Sequence, residues 1–302
     1  VLGSAAGGGF PQWNCNCPNC RAVRDGSRPC RPRTQSSIAL SADYRRWFVF
    51  NASPDIRSQI DTFAPLWPQG EVRRTPIQAI VLSDAELDHT LGLLSLREAR
   101  FLRVYATPWV HTALSEWNPI LRTLGTYCKV DWQPVRLGDV LPLCGSDSVD
   151  SGLQCRAFAT LGTKAVAFAA GPAGHPEATV GYRVTETRTG RTLVYMPAVQ
   201  ELNAEVRSQL QDCACLLVDG TCWYDDELAR LGIGGKTARA MGHLPIGGAG
   251  GSLEQLATLD IARKVYIHIN NTNPLLIEDS PERHAVEAQG IEVAVDGLEI
   301  EI

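Results

Sequence analysis

The sequence predicts an α/β protein in which two β-sheets pack together with helices on the outside. Short apolar runs alternate with helix-like stretches from about residue 36 to the end, hairpin signals interrupt them, and no repeat or low-complexity linker appears. This spacing equally suits a doubly wound sheet, so the layering stays open at this level. The whole chain, 1–302, reads as one domain.

The elements follow in order. Trp47-Phe48-Val49-Phe50 reads as a strand that stops at Asn51-Ala52-Ser53-Pro54, and 55–63 reads as a helix. Ile77 to Leu82 is a buried strand, 83–89 a polar loop and 90–99 a helix. Residues 102–106 form the next strand, and Pro108 opens a helix at its first position. Residues 180–185 and 192–195 flank a turn at Gly190 and predict a hairpin. Helices are expected over 201–210, 252–259 and 281–289. Strands are expected over 215–218, 264–269 and 291–295.

Composition narrows the function classes. Hydrophobic residues make up 44% and charged residues 20% of 302, which is ordinary for a globular chain. A net charge of −5 excludes nucleic acid as the expected partner. No apolar run reaches the ~18 residues of a membrane span, and the first residues lack a signal peptide's basic and apolar regions, so a cytoplasmic protein is expected.

Of 10 cysteines, Cys15, Cys17 and Cys20 crowd together as C-x-C-x-x-C. Three thiolates at this spacing can converge on one tetrahedral ion, and Zn²⁺ favours sulfur. A structural zinc loop is therefore expected at about 14–31, with Cys30 or His243 as fourth ligand. The scattered Cys128, Cys144, Cys155, Cys213, Cys215 and Cys222 read as small buried hydrophobes.

A second candidate centre follows the strand at Ile80-Val81-Leu82. Asp84, Glu86, Asp88 and His89 are all able to ligate a hard metal, although acids also suit a helix N-terminus. The strand Val265-Tyr266-Ile267 likewise ends in His268. Asp88, His89 and His268 thus offer two imidazoles and one carboxylate. His111 and His284 read as structural or solvated, and Asp219, ending a buried strand, needs a partner or a metal.

These residues carry a resemblance. Gly7 to Cys17, Arg33 to Leu40, Asn51 to Arg57, Val218-Asp219-Gly220-Thr221, Gly242-His243-Leu244 and Ile267 to Pro274 resemble the pyrroloquinoline quinone (PQQ) biosynthesis protein B family, from residue 1 to the C-terminus. The family belongs to the metallo-β-lactamase superfamily, so the resemblance implies a four-layer αββα sandwich, α/β in class, with ligands on loops at one edge. The superfamily's H-x-H-x-D-H appears here as Asp84-Ala85-Glu86-Leu87-Asp88-His89, with the Asp-His end intact. His175 resembles the third-motif histidine and His268 the last ligand. Tyr195-Met196-Pro197-Ala198 supplies no bridging acid.

The resemblance implies an iron(II) oxygenase that hydroxylates the tyrosine ring of a small peptide- or amino-acid-derived PQQ precursor. Asp88, His89 and His268 would hold the iron, and Asp84, Glu86 and His175 would line the site. It also favours His243 over Cys30 on the zinc, against a role for His243 as acid–base partner of Asp219. Two other readings stand beside it. One is a zinc hydrolase, which needs Asp84, Glu86 and His175 to complete a second metal site. The other is a soluble carrier of PQQ or its precursor, and a homodimer is compatible with all three.

Overall fold

The computed structural model describes residues 1–145, 147–160 and 174–302. Among these residues, two sheets form. The first runs in the order β1 (Ile38–Leu40), β2 (Trp47–Phe50), β3 (Ile77–Val81), β4 (Phe101–Ala106) and β5 (Lys129–Pro134). Its strands are parallel except for the β1–β2 pair. The second contains β6 (Val140–Cys144), β7 (Asp150–Ala159), β8 (Val180–Glu186), β9 (Thr192–Met196), β10 (Cys215–Asp219), β11 (Arg263–Ile267) and β12 (Ile291–Val293). They lie side by side in reverse chain order, β12 to β6, parallel from β9 to β12 and antiparallel from β6 to β9.

Alternation along the strands settles the layering. In β9, Leu193 and Tyr195 enter the same cluster as Phe48, Phe50 and Val81 of the first sheet, while Val194 and Met196 face the other way. Cys215 and Leu217 of β10, and Val265 and Ile267 of β11, repeat that inward pattern. Side chains two apart share a face of a strand, so one core lies between the sheets. A second core covers the outer face of the first sheet, with Ile56, Val110 and Leu121 from its helices. The third covers the second sheet, with Val206, Leu256 and Val286. This is the αββα sandwich, and the doubly wound alternative is set aside.

Most predicted elements are present. Thr107 caps the helix Pro108–Thr112, and Ser280 caps Pro281–Ala288. The stretch 90–99 differs: a single α-turn, Leu87–Thr90, passes into a 3-10 helix, Leu91–Leu96. The Gly92 amide donates instead to the Ala52 carbonyl, and a Cβ there would lie 2.0 Å from the Ser53 oxygen. The backbone is pulled against the strand-end loop at 52–53, which keeps His89 and its neighbours at the sheet edge. Strands β5 and β6 had no reading in sequence, because they are half-exposed edge strands, where the apolar signal is diluted; β7, paired on both sides, was missed as well, although Leu153, Cys155 and Ala157 alternate into the core between the sheets. No helix among the described residues is long and apolar enough to cross a membrane.

Candidate metal centre

The C-terminal ends of β3, β10 and β11 meet at one edge. The loop after β3 brings Asp88 and His89, and β11 ends at His268. The ligand atoms of these three residues all lie within 4.8 Å of one another. The Asp88 Oδ2 is 3.3 Å from His268 Nε2 and 4.0 Å from His89 Nε2. His268 adopts φ 59°, a left-handed conformation uncommon outside glycine, and this turns its ring out of the strand toward Asp88.

Hydrogen bonds assign which ring nitrogens face the centre. The His89 Nδ1–H donates to the Asp84 carboxylate at 2.8 Å, so Nε2 is the nitrogen that faces the centre. That Nε2 is buried and has no hydrogen-bond partner. A buried imidazole nitrogen without a partner is costly, and a cation between it, His268 and Asp88 would satisfy it. The residues therefore fit a metal.

Asp84 itself is held by a buried polar chain. Ser83 Oγ donates to Asp84 at 2.8 Å, and the Asn51 side chain bonds both the backbone amide and the hydroxyl of Ser83. Burial disfavours the Asp84 charge, but the facing His89 outweighs it and keeps the carboxyl below its usual range. Burial likewise disfavours a charged His89, yet the carboxylates led by Asp84 push its imidazole up to about 9. Asp84 thus orients a ligand and is not among the converging ligand atoms. Asp84→Asn is expected to weaken metal binding at this centre by about 10–100-fold, read by chelator competition.

On the other side, the Thr221 hydroxyl donates to Asp219 Oδ1 at 2.6 Å and accepts from His268 Nδ1 at 2.9 Å. This assigns His268 Nε2 to the centre, as at His89. The His243 Nδ1–H donates to Asp219 Oδ2 at 2.7 Å, and its ring stacks on His268 with centroids 5.4 Å apart. Asp219 is buried, which alone would raise its pKa, but His243 holds it below the ordinary value. Asp219, His243 and His268 also converge within 4.8 Å, but the Thr221 oxygen already sits among them. That cluster reads as a hydrogen-bond brace.

The second centre is the cysteine loop. The sulfurs of Cys15, Cys17 and Cys20 lie within 4.8 Å of one another, and Cys17 caps the helix Pro18–Asp25. Burial and the neighbouring thiols push the Cys17 thiol up to about 12, so gathering three thiolates here without a cation is unfavourable. The Asn271 amide nitrogen lies 3.2, 3.7 and 3.3 Å from the sulfurs of Cys15, Cys17 and Cys20. Turning that amide over presents its carbonyl oxygen at the same place. Three sulfurs and one oxygen fit a tetrahedral Zn²⁺.

Comparison with known proteins agrees with this geometry. The Beta-lactamase superfamily domain matches residues 46–269. Coenzyme PQQ synthesis protein B of Methylococcus capsulatus is 49% identical over 99% of this chain and 98% of its own length. The protein of the same name from Pseudomonas putida is 47% identical, over 100% of this chain and 99% of its own. The chain belongs to the coenzyme PQQ synthesis protein B family. The crystal structure of Zn²⁺-bound PqqB from Methylobacterium extorquens is 40% identical, with a TM-score of 0.91 over 100% of this chain and 99% of that one. A diphosphatase of the PhnP family shares the fold, at 18% identity, a TM-score of 0.68, and coverage of 100% of this chain and 96% of that one.

Against this family background, three expected ligand assignments need correction. His243 is not with the cysteines: it bonds Asp219, the alternative the sequence had left for it. Cys30 is also apart, its thiol donating to the Arg28 carbonyl at 3.4 Å. His175 does not line the cavity around Asp84, Glu86, Asp88, His89 and His268. Its ring stacks on Trp109 with centroids 6.3 Å apart, and its Nδ1 accepts from the Glu177 amide. Sequence reasoning missed Asn51, Ser83, Thr221 and Asn271. Asn51, Thr221 and Asn271 each stood in a stretch that carries the family resemblance, and Ser83 in the polar loop after the strand, but none had a role assigned to it.

Proposed function

We propose that this chain acts in PQQ biosynthesis as a mononuclear iron(II) oxygenase that hydroxylates the tyrosine ring of a peptide- or amino-acid-derived precursor. The observation that carries the reading is the convergence of Asp88, His89 Nε2 and His268 Nε2, with Asp84 spent on orienting His89. Two imidazoles and one carboxylate with open positions are the ligand set of non-haem iron oxygenases. Bound there, iron(II) supplies the activation of O₂.

The chain's own residues do the rest. Asp84 and Thr221 hold both imidazoles with Nε2 toward the centre, so the ligands are arranged before any ion arrives. Asp219 anchors Thr221 and His243 from below. His243 closes one side of the ligand cluster and lines the adjoining cleft, which measures about 760 Å³. That volume suits a small organic molecule rather than a folded protein. Cys15, Cys17, Cys20 and Asn271 would hold a structural Zn²⁺, a reading supported by the Zn²⁺-bound relative.

The zinc-hydrolase reading has less support, since Asp84 is engaged with His89 and His175 stands with Trp109. The decisive test is metal analysis on protein purified without oxygen, then iron reconstitution and O₂ uptake with a tyrosine-containing dipeptide. About one zinc and one iron per chain with hydroxylated tyrosine is expected. Zinc alone, with no oxygen uptake after reconstitution, would turn the assignment to a carrier or hydrolase.

A further inference from the structure

The cleft beside Asp88 and His268 also borders the cysteine loop and the glycine-rich segment after the helix Glu227–Arg230. Its charge is unlike that of the chain as a whole. Arg21, on the helix Pro18–Asp25, and Lys236, in the glycine-rich segment, both line it. The acidic side chain lining the same cleft is Asp88, which the ligand cluster claims. In a chain of net charge −5, that leaves a cationic rim over an otherwise uncommitted opening.

The neighbouring basic residues make the contrast sharper. Arg24 clamps the carbonyls of Gln12 and Cys15. Arg28 pairs with Asp279, Arg31 with Glu278 and Arg230 with Asp226. Among the described residues, neither Arg21 nor Lys236 makes an ion pair. Both stand exposed on the cleft. Leu228, Leu231, Ile233 and Met241 supply apolar surface to the same cleft, with Leu231 38% and Ile233 50% exposed. The lining thus offers an apolar wall for a ring, cations for an anion, and a ligand cluster for the reacting end.

We infer that Arg21 and Lys236 form a carboxylate-recognition rim that selects an acidic, ring-bearing small molecule and points its ring toward Asp88, His89 and His268. The guanidinium of Arg21 suits a planar carboxylate in bidentate fashion, and Lys236 adds a mobile point charge. This inference deepens the proposed oxygenase reading and rests on it for the choice of ring. The cationic selection itself stands on the cleft alone.

Calorimetry on the zinc-loaded chain at low ionic strength tests it without turnover, using N-acetyl-tyrosine and its uncharged counterpart N-acetyl-tyrosinamide. The acid is expected to bind about tenfold or more tightly than the amide, with the preference shrinking as salt is added. The double variant Arg21→Glu/Lys236→Glu is expected to lose the preference while keeping its metal content. Arg21→Lys/Lys236→Arg should retain most of it. A double charge reversal that still prefers the acid overturns the inference, as does wild-type protein that prefers the amide or binds neither probe. Acid preference without hydroxylation after iron loading would defeat the oxygenase reading and leave the rim standing. Hydroxylation with no acid preference would do the reverse.

Discussion

His268→Ala is expected to abolish iron-dependent turnover and to weaken iron binding by at least about 100-fold, while zinc content stays near one per chain. The reason lies in how much converges on this side chain. Its Nε2 faces Asp88 Oδ2 at 3.3 Å, its Nδ1 binds the Thr221 hydroxyl, and its ring packs between those of His89 and His243. Removing it leaves one imidazole and one carboxylate, too few to arrest a labile divalent ion against water. Iron titration on the anaerobic protein reads the first effect and oxygen uptake the second. Full iron binding and turnover in this variant, or in Asp88→Ala, would make the ligand assignment wrong.

Loss of the cysteine centre should produce the next largest change. Cys20→Ser is expected to bring zinc content close to zero and to lower the melting midpoint by about 10 °C. Zinc bound by such ligands contributes on the order of 10 kcal/mol in small domains, comparable with the whole stability of a typical one. The sandwich has its own three cores, so partial loss rather than unfolding is expected. The centre ties the helix Pro18–Asp25 to residues 271–273, since Asn19 Nδ2 donates to the carbonyls of Asn271 and Asn273. Asn271→Ala should weaken zinc binding by about 10–100-fold, whereas His243→Ala should keep full zinc content. The opposite pair of results would return His243 to the zinc and leave Asn271 as a hydrogen-bonding neighbour.

The same two centres show where the sequence was sufficient. C-x-C-x-x-C is a local pattern: within one turn and a helix start, the chain has little choice but to bring three thiols together. Asp88-His89 and His268 were legible because each follows a buried apolar strand, and strand ends of a packed sheet deliver their side chains to one edge. The αββα layering was reachable through resemblance but not through periodicity, because apolar runs look alike whether their strands form one sheet or two.

What the sequence determined by itself was therefore the elements, the family motifs and the local ligand groups. Tertiary structure decided which distant groups meet. Asp219 and His243 are 24 residues apart and bond at 2.7 Å, and Cys15 and Asn271 are 256 apart and in contact. Spacing in the chain carries no information about such pairs. Sheet order places the ends of β10 and β11 side by side, and the left-handed turn at His268 carries the following residues to the cysteine loop. His243 and His175 were misassigned for that reason: a histidine's chemistry is written in the sequence, but its partner is chosen by packing.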